Sequence, residues 1–153
     1  MGDPQTSLFE QVGEVAVTAS TKEAAARRIA EVIRTSRAYR WVGVYEVGDA
    51  EIYALAWDGP NDPAYPRFPK TEGLCGQAVR SRQAVLIDDV TKNAHYLTTL
   101  GSTRSELVVP VLTTAGHVVG LIDVESERVG AFTAEDVSAL QECASAIRPL
   151  WAS

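Results

Sequence analysis

Two consecutive stretches near the start of the chain carry apolar residues at helical spacing: Leu8, Val12, Val15 and Ala19 within residues 7–20, then Ala25, Ile29, Val32 and Ile33 within residues 21–36. The pattern predicts two amphipathic helices. The second has Thr21 as an N-cap, Glu23 in an acidic first turn and an alanine-rich run of high helix propensity behind it. The period then shortens to that of a strand. Residues 39–47, YRWVGVYEV, are aromatic and β-branched, and residues 52–57 follow the turn-like Gly48-Asp49, so the two runs predict a hairpin. Residues 58–70 hold Pro60, Pro63, Pro66 and Pro69 with Gly59, Asn61 and Asp62, a composition that denies the backbone regular ladders and predicts a long loop. A glycine-punctuated turn over residues 72–76 opens a short helix over residues 77–80. Residues 84–87 resemble a short buried strand, and residues 88–103 are polar and irregular. Two strong strands come next, residues 106–112 and 117–124, joined by a turn at residues 113–116. Thr133, with Asp136 three residues on, caps a final helix through Val137, Leu140, Cys143 and Ile147.

This order predicts an α+β fold: an antiparallel sheet of about five to six strands, with the N- and C-terminal helices packed on one face. No repeat, low-complexity tract or linker interrupts the chain, so residues 1–153 are expected to form one domain. At 153 residues and 46% hydrophobic content, such a domain buries a core without disulfides or a structural metal. No apolar run reaches the roughly 18 residues of a membrane-spanning helix, and MGDPQTSLFEQ lacks a signal-peptide profile. A soluble, cytoplasmic protein with no membrane partner is expected. The formal charge of -6 opposes binding to a phosphate backbone, which needs clustered cations, so no nucleic-acid partner is expected and Arg27-Arg28 reads as a solvated helix face.

The candidate chemistry is sparse. Cys75 and Cys143 lie far apart, form no CxxC pair and join no Cys/His cluster, which argues against a disulfide framework or a zinc site; no metal and no cofactor are expected. Cys75 stands near a helix start, where the dipole favours a reactive anion; the alternative is a small buried residue beside a tight turn. Cys143 shares the spacing of Leu140 and Ile147 and reads as core. Trp41 and Tyr45 alternate onto one strand face, as core or as pocket lining. Glu106, Asp123 and Glu125 sit in or at the ends of apolar strands, where an unpaired carboxylate is costly to bury, so they face solvent or something pairs with them. His95 and His117 have no metal-ligand companions and read as exposed. Ser102, Thr103 and Ser105 lack a nucleophile elbow, and no phosphate-cradling glycine run with lysine is present.

Taken with the element order, RWVGVYEV, GLCGQAV, SELVVPV and GLIDVESERVGAFTAEDVSAL resemble a GAF domain over nearly the whole chain. Four pieces are similar to the free methionine-(R)-sulfoxide reductases of that superfamily: a Trp-Val-Gly-x-Tyr strand, a Gly-x-Cys-Gly turn, a Ser-Glu-x-Val-x-Pro strand and an Asp-x-acid strand end. The resemblance implies a pocket for free methionine sulfoxide, lined by Trp41 and Tyr45, with Glu106, Asp123 and Glu125 facing the ligand's polar groups. The family carries aspartate where Glu125 stands. It also implies that Cys75 occupies the place of a resolving cysteine, while the family's nucleophile, on a Gly-His-x-x-Cys-Asp loop, aligns with Thr99 in Tyr96-Leu97-Thr98-Thr99-Leu100. A threonine hydroxyl is barely ionised near neutral pH and cannot run a thiol–disulfide cycle. The expectation is therefore a small-molecule-binding GAF domain without the family's nucleophile. Two alternatives stand beside it: an active reductase with Cys75 as catalytic nucleophile, and a ligand-free module. A homodimer through the first and last helices is expected in keeping with the resemblance.

Overall fold

The computed structural model describes residues 6–93 and 101–151. Ser7 opens helix α1 (Leu8–Thr18), its hydroxyl accepting from the Glu10 amide at 3.3 Å. Thr21 does the same for α2 (Lys22–Arg37), accepting from the Ala24 amide at 3.0 Å, and Ala38 ends that helix in the left-handed region at φ 57°. The chain then enters β1 (Trp41–Val47) and β2 (Glu51–Asp58), the hairpin that the alternating pattern predicts. Beyond come β3 (Arg67–Pro69), helix α3 (Gly73–Ser81), β4 (Val85–Ile87), β5 (Ser105–Leu112), β6 (Val118–Ser126) and helix α4 (Ala134–Ala146). The six strands pair antiparallel in the order β3-β2-β1-β6-β5-β4. This is the α+β architecture expected from the element order, with α1, α2 and α4 on one face of the sheet.

Strand alternation divides the interior in two. Val42 and Val44 of β1, Leu107, Val109 and Val111 of β5, and Ile122 and Val124 of β6 face the helices, where Val12, Ile29, Ile33, Leu140 and Cys143 cover them. Cys143 is thus a core residue, as its spacing predicts. On the opposite face Trp41, Tyr45, Ile52, Val108 and Leu121 pack under Phe68 of β3 and under Leu74, Cys75 and Ala78 of α3. A bulge in β2 keeps both patterns in phase: Val44 lies opposite Ala56 and Tyr45 opposite Ala54, leaving Leu55 as the extra residue.

Three local expectations are corrected. Residues 58–70 are not all loop, because Arg67–Pro69 adds an edge strand to β2. The prolines do not prevent it: the Pro66 carbonyl accepts from the Ala54 amide at 2.8 Å, and the Lys70 amide donates to the Ala50 carbonyl at 3.0 Å, so neither proline is asked for an N–H. The glycine-punctuated turn is itself helical, since α3 begins at Gly73 and includes Cys75. Gly76 allows this, because a Cβ there would stand 2.7 Å from the Thr71 carbonyl carbon. Finally, the chain does not stop at α4: a short 3-10 turn, Arg148–Trp151, lays the Trp151 ring against Gly120 and directs its indole N–H to Glu46 at 3.2 Å.

Candidate ligand site on the sheet

The register of β1, β6 and β5 assembles the site from residues far apart in sequence. Trp41 lies opposite Glu125, and Glu125 opposite Glu106, which makes one row across three strands. One pleat further along, Gly43 lies opposite Asp123, and Asp123 opposite Val108. Tyr45 faces Leu121 in the next row. All five residues implied to line a pocket therefore share one sheet face, and all are at most 2% exposed.

Gly43 is the position that lets the aromatic pair close. A Cβ there would stand 2.6 Å from the Trp41 ring and 2.8 Å from the Tyr45 ring, so the two rings meet over bare backbone beside Asp123. The proline-rich segment ties down the outer edge: the Trp41 indole N–H donates to the Asn61 carbonyl at 2.9 Å, and that of Trp57 to Asp62 at 3.1 Å. On the inner side the Tyr45 ring meets Phe68 edge to face, with centroids 6.2 Å apart.

The carboxyls are the chemically unusual part. Glu106, Asp123 and Glu125 each bring an oxygen to within 4.8 Å of the others, all below the surface. Thr103 donates its hydroxyl to Glu125 at 2.7 Å. Both Asp123 oxygens and one oxygen of Glu106 lack a hydrogen-bond donor. No Lys or Arg forms an ion pair with Glu106 or Asp123 among the described residues. Burial pushes the Glu106 and Asp123 carboxyls well above the ordinary carboxylate range, and the neighbouring acids push them further: Glu125 acts on Glu106, and Glu106 on Asp123. Ionised, these groups are acceptors only and repel one another. A proton held between Glu106 and Asp123 turns that repulsion into a hydrogen bond. The same oxygens have the hard-donor chemistry of a divalent cation site, a possibility that a search for Cys/His clusters does not reach.

Cys75 sits over this group from α3. Its thiol is pushed well up by burial first, then by Asp123, Glu106 and Glu125. The helix start does not lower it, because desolvation and three carboxyls act in the opposite sense. The segment aligned with the family's nucleophile loop, including Thr99, lies outside the described residues, as does His95. His117 is exposed, as expected. Two other polar clusters had no local signature in the sequence: Arg37 and Tyr39 converging on Asp136, and Lys22, Tyr53 and Trp151 converging on Glu46.

The family model for the GAF domain matches residues 19–149, which is most of the chain. The chain belongs to the GAF domain family. Among curated relatives, the free methionine-R-sulfoxide reductase of Escherichia coli is 28% identical over 113 residues, covering 74% of this chain and 67% of that protein. The curated relatives are matched over 57% to 67% of their own lengths. Among solved structures, the free methionine-R-sulfoxide reductase of Neisseria meningitidis in complex with its substrate superposes with a TM-score of 0.84 at 27% identity, over 94% of this chain and 86% of that one. The type II enzyme of Thermoplasma acidophilum gives a TM-score of 0.79 at 29% identity, over 91% and 94%. This GAF domain is thus related to the free methionine-R-sulfoxide reductases. No helix among its described residues is long and apolar enough to cross a membrane.

Proposed function

We propose that this GAF domain binds a free amino acid with a sulfur-bearing side chain, with methionine sulfoxide as its reference ligand, and does not turn it over as a reductase. The observation that carries the binding half is the buried carboxyl pair: both oxygens of Asp123 and one of Glu106 have no donor, beside the aromatic rings that meet over Gly43. An ammonium group supplies three donors and one positive charge, which satisfies the oxygens and offsets the repulsion that keeps them protonated. The Trp41 and Tyr45 rings supply the apolar wall for the rest of the ligand, and Cys75 covers it from α3.

The lack of turnover rests on the thiols. The chain has two cysteines, and both are buried with raised pKa: Cys75 as above, and Cys143 pushed up to about 12, by burial first and then by Glu142. The family resemblance puts Thr99 in the place of the nucleophile, and a hydroxyl cannot pass through the sulfenic and disulfide states the reaction requires.

The test is a calorimetric titration of reduced, chelator-treated protein with L-methionine-(R)-sulfoxide, and with the S epimer as control. Saturable, stereoselective binding that Asp123→Asn abolishes is the expected result, together with no consumption of a thiol reductant. Absence of binding at millimolar ligand removes the proposed pocket. Turnover that survives in wild-type protein and is lost in Cys75→Ser establishes the reductase reading with Cys75 as nucleophile.

A further inference from the structure

A groove separate from the carboxyl cluster lies at the edge of the sheet, where the end of α3 approaches α4. It runs between α4 and the β4–β5 end of the sheet, with a volume of about 480 Å³, a size suited to a small molecule. Val109 and Pro110 form part of its floor, and Gln141 and Ser145 of α4 line one wall. Arg82, at the end of α3, and Arg148, in the 3-10 turn after α4, are its only charged lining residues among the described residues. A smaller cavity of about 280 Å³ continues from it, sharing Leu112 and Arg148 and ending on Trp151.

The two arginines are the telling feature. Arg28, Arg34, Arg37, Arg40 and Arg67 each pair with a carboxylate. Arg82 and Arg148, like Arg27 and Arg128, make no side-chain hydrogen bond or ion pair among the described residues, and they are the two that line one groove. In a chain of net charge -6, two guanidiniums without a carboxylate partner share a cleft whose described lining residues include no Asp or Glu. Guanidinium matches carboxylate and phosphate oxygens by geometry, and the floor between the arginines is apolar.

We propose that this groove is a second binding site, separate from the carboxyl cluster, for a small amphipathic anion: a carboxylate or phosphate head held by Arg82 and Arg148, with an apolar body lying on Val109 and Pro110. Gln141 and Ser145 add neutral hydrogen-bonding partners beside the head group. The site has the opposite charge preference to the carboxyl cluster, so one protein offers a cation-selective face and an anion-selective face.

The full chain is titrated with phenyl phosphate, phenylacetate and the neutral benzyl alcohol, followed by calorimetry and by backbone amide shifts. Saturable binding of at least one anion, with benzyl alcohol much weaker, is expected; which anion binds tighter identifies the head group. Arg82→Gln and Arg148→Gln should each weaken it by about threefold to tenfold, the range between exposed and charge-assisted pairs. Both side chains are exposed, so these variants keep the fold; Gln141→Trp, also exposed, blocks the groove without touching either charge and should abolish binding. Asp123→Asn should leave it unchanged. Equal binding of the neutral probe, no saturation, insensitivity to the arginine variants, or loss in Asp123→Asn overturns the proposal. Self-association abolished by the double arginine variant overturns it in favour of a second copy as the occupant.

Discussion

Gly43 has no chemistry of its own, yet the geometry of the carboxyl site depends on it. Alanine there places a methyl group 2.6 Å from the Trp41 ring, which the Asn61 carbonyl holds in place, and 2.8 Å from the Tyr45 ring. One ring must leave its position. We expect Gly43→Ala to lower stability by about 1–3 kcal/mol, as overpacking does, and to weaken ligand binding more than it weakens folding; denaturant unfolding and calorimetry on the same protein check both. At Cys75 the consequence is chemical. A thiol desolvated under α3 and facing three carboxyls stays protonated at neutral pH, and the thiolate is the species that alkylates. Iodoacetamide at pH 7.5 should therefore leave Cys75 and Cys143 unmodified until the protein is unfolded, as read by mass spectrometry. Rapid labelling of Cys75 in the folded protein contradicts that and revives it as a nucleophile.

Among the elements, α4 has the most explicit anchoring. Thr133 and Asp136 form a reciprocal capping box at its start, and the Asp136 carboxylate also accepts from Arg37 at 2.7 Å and from the Tyr39 hydroxyl at 2.6 Å. One side chain thus caps a helix and ties it to the end of α2. Burial alone would raise the Asp136 carboxyl, but the hydrogen bonds from Arg37, Tyr39 and Thr133 outweigh it and hold the group below its ordinary value. Asp136→Ala should cost about 2–3 kcal/mol, from a lost cap and stranded donors; Asp136→Asn should cost less. Thermal unfolding ranks the two variants. The capping box was legible in the sequence because Thr and Asp three residues apart act locally, and so were both amphipathic helices and the alternating strands. Tyr39 was read as the start of β1, but its hydroxyl is committed to Asp136, 97 residues away. The edge strand β3 was hidden for a related reason: three residues that follow Pro66 and end in Pro69 carry no periodicity, and pairing with β2 defines them. At the site, the identity of each acid was readable. Their convergence was not, since it depends on the register that puts Glu125 opposite both Trp41 and Glu106.

For the molecule as a whole, the unpaired buried carboxyls set a pH dependence opposite in sign to that of the ion-paired ones. Glu106 and Asp123 have folded-state pKa values raised above their unfolded ones. Above the ordinary carboxylate range, the unfolded chain has released protons that the folded chain still holds, so stability falls as pH rises toward the folded values. Asp136 and Glu46 work the other way. In Glu46, burial alone would raise the pKa, but the bonds from Lys22, Tyr53 and Trp151 prevail and lower it, and the stability these two groups contribute is lost as pH falls below the ordinary range. Ligand-free protein should therefore be most stable in mildly acidic solution, with its urea midpoint declining as pH rises above the ordinary carboxylate range. Asp123→Asn removes one titrating group and gives the remaining acids a donor, so it should flatten that decline and raise stability near pH 8 by about 1 kcal/mol. The ammonium group of an amino-acid ligand changes the balance differently. It binds the ionised carboxyls, so binding expels protons, and stabilisation by methionine sulfoxide should grow with pH in wild-type protein and vanish in Asp123→Asn. A flat midpoint in the ligand-free protein would mean that the carboxyls are solvated in solution, and would remove the physical basis for an ammonium-binding pocket.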